Sequence, residues 1–212
     1  MDLFTQISPN VQTIANDAYL LAGFALPVES TLLADIQQIM AAAPLRHMVT
    51  PGGFAMSVAM TNCGDFGWVT DRKGYRYAPQ DPISGKAWPA MPNTFLQLAA
   101  SAASLAGFAN FVPDACLINE YAIGARMSLH QDKDEQDFSQ PIVSVSLGLQ
   151  AEFQFGGLQR ADKPIIVMLN HGDVIVWGGA SRLHFHGILP LKKGAHTLLG
   201  ERRINLTFRK AA

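Results

Sequence analysis

Arg203-Ile204-Asn205-Leu206-Thr207-Phe208-Arg209 alternates polar and apolar side chains without a break. Residues two apart in an extended chain share a face, so this segment reads as a strand. Its arginines, Asn205 and Thr207 line one side, and Ile204, Leu206 and Phe208 line the other. Two readings of the polar side fit the alternation. Either it faces water, or it faces inward and the two arginines hold an anion, since burying them unpaired would cost several kcal/mol each.

Working back from this strand, the chain from Ala115 onward is a succession of similar short segments. They cover about 116–122, 126–132, 141–148, 151–156, 164–169, 173–177, 182–189 and 202–209, with Gly, Pro or Asp at the breaks. Eight short strands separated by turn residues predict a sandwich or barrel, and a double-sheet jelly roll is the natural candidate. Two helices precede them. The first runs from an N-cap at Ser30 to about Ala43, with Leu33, Ile36 and Met40 inward and Pro44 as its stop. The second runs from Asn93, its cap, to Ala106, with Phe95, Leu98, Ala102 and Leu105 inward and Gly107 ending it. Residues 45–90 are rich in Gly, Pro, Met and aromatics, which predicts hairpins and loops rather than long regular elements. The first thirty residues carry no chemistry of their own.

At 212 residues, 49% apolar and 16% charged, the chain is expected to be one domain with a well-packed core. Nothing approaches the ~18 uninterrupted apolar residues of a membrane span. Met1-Asp2-Leu3-Phe4-Thr5 lacks the basic start of a secretory signal. Cys63 and Cys116 are too few for a disulfide framework and belong to no CxxC pair, so they read as packing residues in a reduced protein. The expectation is a cytoplasmic monomer with no membrane association and no obligate protein partner. A net charge of −1 excludes a broadly basic nucleic-acid-binding surface but leaves room for a local basic strip.

Chemistry is concentrated at His130 and Asp132, which share a face at the end of a strand. Together with one histidine from another strand, they would make a facial site of two imidazoles and one carboxylate with three open positions. His184 and His186 are the candidates for that histidine, and His186 is favoured because Gly187 leaves room beside it. A closed structural zinc site would need a fourth ligand, and no cysteine is near. The ligand set alone still admits a hydrolytic zinc site. A second HxD pair, His171-Gly172-Asp173, follows Asn170 and has a turn's composition, so it reads as structural. His47 and His196 read as surface residues.

The segments MVTPGGF (48–54), SVAMTNCG (57–64), WPAMP (88–92), LHQDKDE (129–135), FQFGGL (153–158) and R.NLTFR (203–209) together resemble the AlkB family of Fe(II)- and 2-oxoglutarate-dependent oxygenases. The resemblance covers most of the chain from about Met48. It implies a double-stranded β-helix (jelly-roll) core over residues 112–210 and a nucleotide-recognition lid over 45–90. It implies that His130, Asp132 and His186 hold Fe(II). By the same resemblance Arg203 and Arg209 hold the carboxylates of 2-oxoglutarate, with Asn119, Tyr121 and Asn205 assisting and O2 as the other co-substrate. Trp68 and His130 would sandwich a flipped base. Asp134 would lie near its exocyclic nitrogen, with Arg160, Thr50, Met60 and Tyr75 also lining the substrate site. The activity implied is oxidative removal of N-alkyl groups from 1-methyladenine- or 3-methylcytosine-type bases, in single- or double-stranded DNA or in RNA. One departure stands out: where the family often has N-R-Y-x-P-G, this chain has Asn119-Glu120-Tyr121-Ala122-Ile123-Gly124. Alternation points Glu120 away from the site.

The lid composition fits this reading independently. Base chemistry requires an extruded base stacked on aromatics, and Trp68, Tyr75 and Tyr77 offer stacking surface. Arg72, Lys73 and Arg76 interleave with them, a spacing suited to phosphates beside bases.

Overall fold

A computed structural model describes residues 10–212. Met1 to Thr5, read above for a signal sequence, lies outside them. The described chain runs β1 (Asn10–Ala15), β2 (Ala18–Ala22), α1 (Glu29–Ala42), β3 (Arg46–Val49), β4 (Ala55–Gly64), β5 (Gly67–Asp71), β6 (Gly74–Ala78), α2 (Asn93–Leu105), β7 (Ala115–Ala122), β8 (Met127–His130), β9 (Ile142–Gly148), β10 (Ala151–Phe155), β11 (Ile165–Leu169), β12 (Val174–Trp177), β13 (His186–Ile188) and β14 (Arg202–Arg209). It is mainly β with few helices. Neither helix is long and apolar enough to cross a membrane.

The strands form an eight-stranded sheet in the order β1-β2-β12-β9-β14-β7-β4-β3, a four-stranded sheet β11-β10-β13-β8, and the separate hairpin β5-β6. Alternation along β14 decides which side faces what. Ile204, Leu206 and Phe208 join the core beneath the helices, with Ile36, Phe95, Leu98, Cys116, Val143 and Val145. Arg203, Asn205, Thr207 and Arg209 face the four-stranded sheet. Both faces are covered, and Arg203 is 1% exposed. The solvated reading of the polar side therefore fails. Phe153, Phe155, Ile175, Trp177 and Ile188 form the second core, between the sheets.

Several local expectations need correction. α1 starts at Glu29 behind Val28, without a side-chain cap, so Ser30 is inside the helix. Its buried stripe is Leu32, Ile36 and Ile39, while Leu33 and Met40 are only partly buried. α2 is preceded by Pro92 rather than capped by Asn93, and Leu105 is exposed. Gly107 does end it, in the left-handed region that favours glycine. The first thirty residues supply two strands. β2 pairs with β12, Val174 against Leu21 and Trp177 against Ala18. The signal was present: Asn16-Asp17 sits between apolar runs, and Asp17 takes the positive φ of 57° that tight hairpin turns require.

Residues 45–90 are also more regular than their composition suggests. β4 is ten residues long and pairs with β7 from Ala59–Glu120 to Gly64–Ala115, so it extends the large sheet. Cys63 and Cys116 face each other in that register, both fully buried. Burial pushes the Cys116 thiol well above its ordinary pKa, which suits packing rather than catalysis. The strand expected over 182–189 shrinks to His186–Ile188, because 182–185 forms a turn. Gly187 leaves room for backbone: a Cβ there would stand 2.6 Å from the Met127 carbonyl oxygen of the neighbouring strand.

The loop 81–86 is held to β3 by charge. Asp81 accepts two hydrogen bonds from Arg46, at 2.9 and 2.6 Å, and others from the Ile83 amide and the Ser84 hydroxyl. Burial opposes ionisation of Asp81, but these donors prevail and lower its pKa from 3.8 to about 2. A carboxylate depressed in the folded state stabilises above its unfolded pKa and loses that contribution as pH falls through the folded value. Amide protection of Ile83 and Gly85 is therefore expected to fall between about pH 4 and pH 2, and Arg46→Ala to weaken it already at neutral pH. NMR hydrogen exchange reads both. Gly187→Ala is expected to cost about 1–3 kcal/mol and to lower Tm by roughly 2–12 °C, measured by thermal circular dichroism.

Candidate active site

β8 and β13 are antiparallel neighbours, and their register sets His130 directly opposite His186. The two rings lie 4.4 Å apart. Asp132 is two residues beyond His130, so its carboxylate returns to the same side. Its Oδ1 is 3.8 Å from His130 Nε2 and its Oδ2 is 3.7 Å from His186 Nε2. Among the described residues these three form the one group of this kind able to hold a metal ion, with all ligand atoms within 4.8 Å of one another.

The tautomers are set locally. His130 Nδ1 lies 2.8 Å from the Ser128 carbonyl, and His186 Nδ1 lies 3.0 Å from that of His184. A carbonyl only accepts, so each Nδ1 carries the proton and each Nε2 keeps its lone pair for a metal. Burial, and then the neighbouring His130, lower the pKa of His186 from 6.5 to about 4, which keeps it neutral at neutral pH. Burial would push Asp132 the other way, but the Arg209 guanidinium outweighs it and holds this carboxyl well below the usual range. Arg209 donates from Nε and Nη2 to Asp132 Oδ2 at 2.9 and 2.7 Å.

Behind this group lies a cavity lined by Asn119, Tyr121, Ser144, Arg203, Asn205 and Thr207. Arg203 donates from Nη2 to Ser146 Oγ at 2.9 Å, but its buried Nε and Nη1 have no partner. Its guanidinium stands 5.0 Å from the Tyr121 ring centre. Asn119 donates to Asn205, and its own Oδ1 is unpartnered. Buried donors of a charged group are costly to leave unmet. These orphan N–H groups fit a carboxylate.

In front, a groove of about 760 Å³ opens to solvent. The Trp68 and Tyr75 rings stack at 5.6 Å on one wall, and Trp68 Nε1 donates to Asp134 Oδ2 at 2.8 Å. Arg160 donates to the Leu129 carbonyl and lies over the Phe185 ring. Thr50 lies at the rim in the turn before Phe54, and Met60 lines the buried floor.

Comparison with known proteins bears on this arrangement. The profile of the 2OG-Fe(II) oxygenase superfamily matches residues 17–209. The chain belongs to that superfamily. This oxygenase is 56% identical over 212 residues to the alpha-ketoglutarate-dependent dioxygenase AlkB of Salmonella typhimurium, an alignment covering all of this chain and 98% of that protein. It is equally identical, over 211 residues, to the AlkB of Escherichia coli, again covering all of this chain and 98% of its relative. The human nucleic acid dioxygenase ALKBH1 is 33% identical over 131 residues, 60% of this chain and 33% of that protein. Among solved structures, that of OsALKBH1 superimposes with a TM-score of 0.82 at 29% identity, covering 94% of this chain and 99% of that one. The oxygenase is an Fe(II)- and 2-oxoglutarate-dependent dioxygenase, and the donor set and the orphaned arginine described above fit both groups.

The residues expected to bind metal, 2-oxoglutarate or substrate all line the cavity or the groove. Three details differ from expectation. Tyr77 is cross-strand from Trp68, but its hydroxyl donates to Glu135 Oε1 at 2.6 Å and its ring is not free stacking surface. Arg76 lies on the opposite face of the hairpin from Tyr75 and Tyr77 and is paired with Asp71 through both carboxylate oxygens. The pleat thus separates it from the aromatics, and Arg72 and Lys73 at the hairpin tip are the exposed cations. His184 sits in the turn before β13 rather than on a strand face. His196 is half-buried and stacks on His171, which itself meets Glu29 at 2.6 Å, consistent with a structural second HxD pair. Glu120 points outward to Arg202, as its alternation requires.

The sequence missed Arg182 and Glu135. Arg182 is 3% exposed and donates to the carbonyls of Asp132 and Gln140 and to Glu135 Oε2. Glu135 ends the charged run Asp132-Lys133-Asp134-Glu135, a composition typical of solvated loops, yet it is buried. His130→Ala is expected to abolish the visible band formed anaerobically with Fe(II) and 2-oxoglutarate, and Arg203→Met to weaken 2-oxoglutarate binding by ~100-fold, consistent with losing a buried charged pair. Absorbance titration measures both.

Proposed function

We propose that this oxygenase is a demethylase of N-alkylated bases in DNA, with RNA a further substrate, and that it works as a cytoplasmic monomer. The observation that carries the reading is the junction of the two spaces: Leu117, Met127, His130 and Arg209 line both the inner cavity and the outer groove. A group extended from a stacked base would therefore meet the metal ligands directly. The relatives named for nucleic-acid chemistry support the same substrate class.

In this reading the strands β7–β14 are a double-stranded β-helix, shared four and four between the large sheet (β7, β9, β12, β14) and the small one (β8, β10, β11, β13). Residues 45–90 are the nucleotide-recognition lid, with β3 and β4 rooted in the sheet and the β5-β6 hairpin above the groove. His130, Asp132 and His186 hold Fe(II). Arg203, with Tyr121, Asn119 and Asn205, and Arg209 hold the two carboxylates of 2-oxoglutarate.

Bound iron and 2-oxoglutarate supply oxidation of the N-alkyl carbon by O2, with release of aldehyde, succinate and CO2. The chain's own residues position and shield. Trp68 and Tyr75 stack a flipped base against His130, at about 1–3 kcal/mol per stacked base. Asp134 presents a carboxylate to a base made cationic by ring-nitrogen methylation, a preference that follows from charge complementarity. Arg160, Thr50 and Met60 shape the remaining wall, and Arg72 and Lys73 reach toward phosphates.

The test is mass spectrometry of a single-stranded oligonucleotide carrying one 1-methyladenine, incubated with Fe(II), 2-oxoglutarate and air. Loss of one methylene mass, dependent on 2-oxoglutarate, is expected. Succinate formation without that loss would move the substrate away from nucleic acid.

A further inference from the structure

Asp132, Asp134 and Glu135 are three carboxylates within four consecutive residues, and each meets a different partner. Asp132 faces the histidines and Arg209. Asp134 accepts the Trp68 indole N–H. Glu135 accepts the Tyr77 hydroxyl at 2.6 Å on Oε1 and Arg182 Nη2 at 3.0 Å on Oε2, and its Oε1 lies 3.4 Å from Arg209 Nε. Glu135 is 6% exposed. A buried carboxylate with two cations and a phenol around it is far from the solvated charge that its sequence neighbours suggest.

The partners of Glu135 belong to separate parts of the molecule. Tyr77 is on β6, directly across from Trp68. Arg209 is at the end of β14, the central strand. Arg182 lies in the turn before β13 and also grips the Asp132 carbonyl at 2.8 Å. The β5-β6 hairpin forms a sheet of its own. Its β5 side is tied to the large sheet, where Asn62 of β4 pairs with both the N–H and the carbonyl of Trp68 and Phe66 bridges to Ala115, whereas it meets the turn carrying Asp132 through the side chains of Trp68 and Tyr77. The contact at Asp134 is exposed at the groove, whereas that at Glu135 is shielded from water and correspondingly stronger.

We propose that Glu135 is a positioning residue that anchors the β5-β6 hairpin, through Tyr77, to the turn carrying Asp132, and so fixes the height of the Trp68 stacking surface above the metal ligands. The inference rests on the nucleic-acid reading for its consequence and on geometry for its mechanism. Glu135 touches neither base nor metal. Burial holds the Tyr77 hydroxyl protonated, so it remains a donor.

The experiment compares the full-length protein with Tyr77→Phe, Glu135→Gln and the double variant. Tryptic cleavage after Arg72 and Lys73, at the hairpin tip, reports how often the hairpin opens. Both single variants are expected to be cut ~10-fold faster, the size expected for losing a charge-assisted hydrogen bond. The double variant is expected to gain much less than the product of the two, because one contact is removed twice. For the methylated oligonucleotide, KM is expected to rise ~10-fold in Tyr77→Phe with kcat nearly kept, while the Fe(II)·2-oxoglutarate band persists.

The proposal is overturned if Tyr77→Phe is cut within twofold of the parent rate, if the effects of the two changes multiply, or if the band is lost together with affinity. Tyr77→Phe removes one hydroxyl and decides the matter even should Glu135→Gln fail to fold. If the parent does not bind the oligonucleotide, the proposed function fails, and the cleavage rates alone decide the anchoring role.

Discussion

The contact between Arg209 and Asp132 is the constraint around which the centre of the molecule is built. A carboxylate buried alone in a protein interior would take up a proton, which would spoil it as a metal ligand. Arg209, on the central strand of the large sheet, supplies the positive charge that keeps it ionised, and two imidazoles that turn their Nδ1 to backbone carbonyls complete the set. The large sheet provides the arginine and the small sheet provides the histidines. The contact thus spans the gap between the sheets, beside the apolar core that packs there.

The polar face of β14 follows the same logic along its length. Arg203, Asn205 and Thr207 are buried because they answer one another and the serines of β9: Asn205 donates to Ser144 Oγ, and Thr207 donates to Asn205. At Arg203 the answer is incomplete, and the missing acceptor identifies the chemistry of what the cavity receives. A fully satisfied polar interior would be a structural device, whereas an interior short of one acceptor is a binding site.

Much of this was legible in the sequence because it rests on local rules. Period-two alternation placed the β14 arginines on one side and Glu120 on the other, and it brought His130 and Asp132 together. The composition of Asn170–Asp173 marked a turn. What escaped depends on partners distant in sequence. Glu135 looks solvated until Tyr77 and Arg182 fold onto it. Ser30 has the chemistry of a cap, but Glu29 meets His171 and the helix begins two residues earlier than a cap at Ser30 would place it. Tyr75, Arg76 and Tyr77 mix aromatics with a cation along the chain, but the pleat sorts them onto opposite faces. The β1-β2 hairpin has a weaker signal, because Asn16-Asp17 is its only turn mark and β1 is largely exposed.

The position of β14 also bears on how the molecule comes into being. This strand is synthesised after every other described strand, yet in the sheet it lies between β7 and β9. Until it inserts, those two have no common neighbour, Asp132 lacks its counter-charge, and the cavity lacks its floor. Pairings of such long sequence separation form slowly, since loop closure precedes the gain. His130, Asp132 and His186 all precede this strand, so the counter-charge of Asp132 and the arginine side of the cavity arrive together, with the last strand, after the candidate metal ligands have been synthesised.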